Sequence, residues 1–153
     1  MRLLLAAFCL CLYGCSSKPY EGKTVGELEQ MLHDPNPAVQ VQGAFGLSRL
    51  GPDAREAVPG LIASLEGEAL VRQNAALALG AIGPEAKGAV PALIRLLSDP
   101  EWTVRRQAAT ALGQIGPDAK EAVKALEKLH NDKDRLVRKA AEEAKSKITV
   151  PLR

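Results

Sequence analysis

The sequence has no cysteine beyond position 15, only two histidines, and aromatic side chains at only 3% of its positions. With Cys9, Cys11 and Cys15 all at the start, nothing later in the chain can form a disulfide or a thiolate metal site. His33 and His130 each follow a leucine near the end of a short predicted helix. Neither has a second His or Cys at ligand spacing, and both read as solvated side chains near the negative end of a helix dipole. There is no Gly-x-Ser-x-Gly, and the glycines come as Gly-Pro stops rather than as a phosphate-binding loop. No serine has a histidine placed to activate it. The expectation is a chain that is not an enzyme and takes no cofactor and no metal. Charge of one sign is lacking too: removing residues 1–14, whose one charged residue is Arg2, lowers the formal net charge from +2 to +1. A nucleic-acid binder rests on clustered positive charge, so that class is excluded.

A long apolar run is also missing. Met1–Gly14 is led by Arg2 and continues Leu-Leu-Leu-Ala-Ala-Phe-Cys-Leu-Cys-Leu, short of the roughly 20 residues that span a bilayer. A charged start, a short apolar stretch and a small residue at its end describe a secretory signal peptide. The following stretch, Leu12-Tyr13-Gly14-Cys15, resembles the lipobox of bacterial lipoproteins, with Tyr13 bulkier than is usual there. The resemblance implies cleavage before Cys15 and a diacylglyceryl group on its thiol. Two buried acyl chains hold a protein stably where one does not. An ordinary signal peptide or a misplaced start codon are the alternatives. The expected place is a bacterial cell envelope, on the exported side of a membrane; Ser16 resembles lipoproteins that travel to an outer membrane, where the source has one.

What is present in quantity is a repeat. Leu50-Gly51-Pro52-Asp53-Ala54, Ile82-Gly83-Pro84-Glu85-Ala86 and Ile115-Gly116-Pro117-Asp118-Ala119 start 32 and then 33 residues apart. Val39-Gln40, Val71-Arg72, Val104-Arg105 and Val137-Arg138 keep the same period, as do Ala57-Val58-Pro59, Ala89-Val90-Pro91 and Ala122-Val123-Lys124. Each unit reads as two helices. The first is short, with apolar residues at 90, 93, 94 and 97 on one face and a proline, Pro59 or Pro91, in the first turn, where a missing N–H costs little. A turn such as Ser98-Asp99-Pro100-Glu101 follows. The second helix spans about Trp102 to Ile115, with Gly116 and Pro117 as its stop. Ala75, Ala78, Leu79 and Ile82 make one apolar stripe, and Ala108, Ala111, Leu112 and Ile115 repeat it. Gly80 and Gly113 each cost about 1 kcal/mol of helix propensity relative to Ala, which points to close backbone approach.

These residues resemble HEAT repeats, in particular the short HEAT-like repeats of phycobilisome lyases. The pattern is an apolar first helix, an Asp-Pro turn, Val-Arg, Ala-Ala, then Leu-Gly-x-Ile-Gly. The resemblance implies an all-α, right-handed α-solenoid of about four helical hairpins, with units of about 24–50, 53–82, 85–115 and 118–148 in a domain covering 24–150. Residues 15–23 form the lipidated N-terminus and linker, and 151–153 a tail. The first unit departs at Gln40, where Arg is usual. The last replaces apolar positions with Glu127, Glu142, Lys145 and Ser146, as a polar terminal repeat requires; the array is expected to end there.

The family also implies roles for recurrent charges. Arg72, Arg105 and Arg138 lie about 100° around the helix from the core valine. With Asp99 and Asp132 they are expected to tie adjacent repeats together; a ligand-binding charge ladder is the alternative. Second helices line the concave face in HEAT proteins. A groove of Val41, Phe45, Gln73, Leu77, Arg106, Thr110, Lys139 and Glu143 is therefore expected to bind another protein, an apolar segment over Phe45 and Leu77 and an acidic group near Arg106. Alternatively, residues 19–24 cover Phe45, and Trp102 packs either on its turn or at the groove rim. The expected molecule is a monomeric interaction scaffold held on a membrane by its N-terminal lipid. A lyase-type enzyme, a chromophore chaperone or a purely structural envelope lipoprotein are the alternative functions. Mass spectrometry of the mature N-terminus tests the anchor: a diacylglyceryl group on Cys15 is expected, and Cys15→Ala should yield soluble or unprocessed protein. An unmodified N-terminus at another residue would contradict it.

Overall fold

The structure, a computed structural model, describes residues 18–149; the expected signal peptide, residues 1–14, and the expected lipid site, Cys15, lie outside them. Among the described residues eight α-helices follow in hairpin pairs: α1 (Val25–Leu32) with α2 (Pro37–Leu50), α3 (Val58–Ser64) with α4 (Ala69–Ile82), α5 (Val90–Leu96) with α6 (Trp102–Ile115), and α7 (Val123–Lys128) with α8 (Arg135–Thr149). The described residues hold no strand. The fold is an all-α solenoid of about four helical hairpins.

Local chemistry starts and stops these helices where the sequence signals it. Thr24 and Glu27 form a reciprocal capping box on α1, satisfying two otherwise unpaired N–H groups. Asn36 accepts from the Ala38 N–H at 3.0 Å to open α2, and Asp134 accepts from Leu136 N–H at 2.8 Å to open α8. α4 and α6 end at Gly83 (φ 76) and Gly116 (φ 78), a left-handed backbone that glycine adopts without a Cβ penalty.

One local feature goes beyond the sequence reading. The Gly-Pro stops continue as 3₁₀ helices, Gly51–Ala57, Gly83–Ala89 and Gly116–Ala122, which lead directly into the next first helix. Proline fixes the φ that such a turn needs. Their alanines, Ala54, Ala57, Ala86, Ala89, Ala119 and Ala122, are fully buried. They are core residues that a reading of Gly-Pro as punctuation overlooks.

The second helices pack successively, α2 on α4, α4 on α6 and α6 on α8, whereas α3 and α5 meet the following unit through its 3₁₀ segment. The layer with closer spacing is the inner, concave one. Leu47, Leu79 and Leu112 from this layer and Leu61, Leu93 and Leu126 from the first helices are fully buried in one continuous core. A buried side chain of that size contributes about 1.5–3 kcal/mol. Small residues permit the spacing. A Cβ on Gly80 would lie 3.0 Å from the Ala111 Cα, and one on Gly113 would lie 2.8 Å from the Ala144 Cα. By composition Ala69–Leu96 is apolar enough to cross a membrane, but Gly83 turns the chain within it and most of its apolar side chains belong to this core.

At the far end, Glu127, Glu142 and Ser146 are exposed, and Lys145 is half-buried with its ammonium 2.9 Å from Glu142. Leu112→Ala should cost about 2–5 kcal/mol as a buried truncation, and Lys145→Ala should stay within about 0.5 kcal/mol of the parent. Gly113→Ala should destabilise by about 1–3 kcal/mol despite its better helix propensity, because the new methyl overpacks α8. Gly88→Ala, with nothing within 4 Å of its Cβ, should not. Urea unfolding of the four variants reads all of these.

Candidate functional site

Two sets of side chains bear on function: the inter-repeat charges and the concave row. The charges form clamps. Arg72 donates from Nε to Asp99 Oδ2 at 2.8 Å and from Nη2 to Oδ1 at 2.9 Å, while its Nη1 donates to the Gly67 carbonyl at 2.8 Å. Arg105 repeats this one unit on, with Asp132 at 2.7 and 3.0 Å and the Asp99 and Pro100 carbonyls at 2.8 and 3.0 Å. The carboxylates are themselves fixed: Asp99 accepts from Glu101 N–H, and Asp132 from Asp134 N–H. Side-chain exposure is 7% for Arg105 and 8% for Asp132, so this bidentate pair is shielded from screening. Hydrogen bonds to the paired carboxylates hold Arg72 and Arg105 above the ordinary guanidinium value. The Arg105 hydrogen bond, helped by the Asp134 N–H, holds Asp132 below the usual carboxylate range despite its burial.

The ladder is incomplete at both ends. Gln40 Nε2 donates to the Asp34 carbonyl at 2.7 Å, as each Arg does to its own turn, but it cannot grip a carboxylate. Its neighbour offers none at that place: the Gly67 carbonyl accepts from Arg72 as the Asp99 carbonyl does from Arg105, so Gly67 holds the ladder position. The turn Leu65–Leu70 is one residue shorter than its counterparts, which is why the first period is 32 and hid this correspondence. A gap of about 280 Å³, lined by His33, Gln40, Gly60, Ser64, Glu66 and Gly67, occupies that junction. Arg138 has no following Asp among the described residues; its Nη1 donates to the Asp132 and Lys133 carbonyls at 2.6 and 3.2 Å. Of the residues expected to tie repeats, Arg72, Arg105, Asp99 and Asp132 do so, and Arg138 does not.

The concave row divides into two halves. Val41 and Phe45 on α2 are half-buried, and the Tyr20 ring meets Phe45 edge-on, with centroids 5.1 Å apart and planes at 68°. The N-terminal segment thus lies over Phe45: of the two readings the sequence left open, residues 19–24 cover it, and it does not offer an open apolar surface. Its packing against Gly46, whose Cβ would lie 2.9 Å from the Tyr20 Cβ, explains why: a glycine leaves room for the ring. Gln73 and Leu77 on α4 are half-buried. Arg106 and Thr110 on α6 and Lys139 and Glu143 on α8 come together with Gln107, Leu136 and Ala140 around a shallow groove of about 230 Å³. Lys139 and Glu143 pair at 3.6 Å in the open, a contact of little net stability. The Arg106 guanidinium sits 5.3 Å from the centre of the Trp102 ring, a cation–π contact that places Trp102 at the groove rim.

Sequence reasoning passed over Leu70 and Leu136. With Trp102 they are the exposed large apolar side chains among the described residues, at 65%, 45% and 37%. All three open second helices. The available signal was position: Leu70 and Leu136 each directly precede the marker valine, off the core stripe. Among the described residues no group of His, Cys, Asp and Glu could hold a metal ion, and His33 and His130 are exposed.

The helical hairpins, glycine stops and Arg–Asp clamps define a helical-repeat solenoid. The HEAT-repeat family description matches residues 25–87 and 58–145, and the chain belongs to that family. Among solved structures it is similar to two engineered proteins, at 27% identity over 81% of this chain (TM-score 0.67) and 28% over 82% (TM-score 0.66). It is also similar to the complex of CpcE and CpcF of phycocyanin lyase from Nostoc sp., at 23% identity over 83% of this chain (TM-score 0.59), a likeness of fold. The chain spans 62%, 38% and 65% of the lengths of those three chains. Comparison with curated protein sequences gives no match.

The clamp makes stability pH-dependent. The Asp132 carboxyl titrates lower in the fold than in the unfolded chain. Its contribution is therefore complete above the unfolded value and is lost as pH falls through the lowered folded value. Asp132→Asn should destabilise the protein by about 3 kcal/mol at neutral pH, the low end for breaking a buried pair. Its urea midpoint should also fall less steeply than the parent's below about pH 4. Parallel acid limbs would show that Asp132 adds nothing to the acid response.

Proposed function

We propose that this chain is a lipid-anchored, non-enzymatic HEAT-repeat scaffold of a bacterial envelope, binding another protein on the C-terminal half of its concave face. The observation that carries the reading is the position of Leu70, Trp102 and Leu136. Large apolar side chains left in water are costly, and here they recur at the start of the second helices, one in each of the last three repeats. Arg106 and Lys139 line a groove with Leu136, and Arg106 also lies over the Trp102 ring. Aromatic and aliphatic anchors next to Arg are the composition of binding hot spots, and an exposed apolar row rimmed by charge marks interaction surfaces. The partner that fits presents apolar side chains at the repeat spacing and a carboxylate toward Arg106.

The anchor reading rests on Leu12–Cys15 and on the absence of later cysteines. A lyase-type activity would rest on the likeness to phycocyanin lyase, which is one of fold at 23% identity, so the scaffold reading is preferred. Capture from detergent-solubilised envelope, quantified against the parent, tests the face. Trp102→Ser with Leu136→Ser should reduce recovery of the bound protein at least tenfold, about 1.4 kcal/mol, with helicity unchanged. Arg95→Ala with Lys128→Ala, on the first helices, should leave it intact. The reverse result would move the site to the convex face, and no specific capture by the parent would favour a purely structural envelope lipoprotein.

A further inference from the structure

The clamps at Arg72 and Arg105 define what the third arginine is built to hold. In all three, Nη1 donates to carbonyls of the arginine's own turn: Gly67 for Arg72, Asp99 and Pro100 for Arg105, Asp132 and Lys133 for Arg138. That anchor fixes the guanidinium plane before any carboxylate arrives. In Arg72 and Arg105 the remaining Nε–Nη2 edge grips the two oxygens of an aspartate from the next unit. In Arg138 no carboxylate of the described residues reaches that edge, and the side chain is half-buried. The nearby Glu142 is engaged elsewhere, with Lys145 at 2.9 Å and His130 at 4.0 Å.

We infer that Arg138 is a preorganised carboxylate-docking site on the C-terminal end of the solenoid, taking an aspartate presented on a turn of a separate protein. The fork geometry selects a planar, bidentate acceptor. The form of the acceptor is set by internal precedent: Asp99 and Asp132 each accept from the backbone N–H two residues on, which holds the carboxylate square to the guanidinium. Because the pose is already paid for by the turn carbonyls, little side-chain entropy remains to be lost on binding. A second copy of this chain is the less suitable occupant. Its Asp34 has the same turn geometry, accepting from Asn36 N–H at 2.8 Å. But Tyr20 covers the part of α2 on which another unit would stack. By helical position Arg138 lies about 160° around α8 from Leu136 and about 100° from Lys139, so variants at Trp102 and Leu136 test the concave face separately from it.

The test is a titration of the full chain in detergent with the peptide acetyl-Ser-Asp-Pro-Glu-Trp-amide, which copies residues 98–102, followed by NMR of the arginine Nε–H groups. Arg138 should shift saturably toward the positions of Arg72 and Arg105, which should not move. The same peptide with Asn for Asp should bind at least tenfold more weakly, as should the Arg138→Lys protein, whose helicity is unchanged. Three results overturn the inference: an Arg138 signal already at the clamped position without peptide, no saturable shift, or an equal response to the Asn peptide. Sedimentation of the chain alone is the second measurement. Self-association abolished by both Arg138→Lys and Asp34→Asn would reassign the site to a second copy, overturning the separate-protein assignment; a monomer at all concentrations supports it.

Discussion

A unit of two short helices cannot bury both of its apolar faces by itself, so each repeat of this chain depends on contact with its neighbour. That contact is tightest between second helices, where Gly80 meets Ala111 and Gly113 meets Ala144 at backbone distance. The scarcity of aromatic residues follows from it, because rings would hold the helices apart. So does the cost of two glycines inside helices, which is returned as close packing along the inner layer. With the inner layer close and the first helices joined through 3₁₀ segments, the stack curves and acquires an inner and an outer face.

The Arg–Asp clamps add direction to a stack that apolar packing alone would leave free to slide. A buried ion pair contributes modest net stability, but a bidentate pair has one geometry, and here it fixes each turn against the next. The clamp is present at the second and third junctions and absent at the first, where Gln40 faces a unit carrying Gly67. The two changes occur together: between two stacked units an arginine without its carboxylate, or a carboxylate without its arginine, would be a desolvated charge with no partner. The N-terminal hairpin is joined to the rest by packing alone, and it is also the hairpin on which Tyr20 and the segment from Lys18 lie.

Function follows from what this regular scaffold leaves uncovered. Among the described residues two places stand out: the groove between α6 and α8, with Trp102 and Leu136 at its edge, and the face of α8 at Arg138. Both lie toward the C-terminal end, while Phe45, in the first unit of the concave row, is covered by Tyr20.

The period, the second-helix limits, the glycine stops, the core stripe and the Arg72 and Arg105 clamps were legible in the sequence. These depend on spacing within a helical turn or on residues repeated at one period, and either is visible along a single chain. The Trp102–Arg106 contact, the burial of the 3₁₀ alanines and the missing first clamp were not, and the sequence left open whether residues 19–24 cover Phe45. Tyr20 obeys no period, and a one-residue shorter turn moved Gly67 out of register with Asp99 and Asp132. Sequence by itself determined which residues form helices and which face of each is apolar, because those properties arise from neighbours three and four positions away. Only the tertiary structure decided which of the outward side chains remain in water, because that depends on segments far along the chain that come to lie over them.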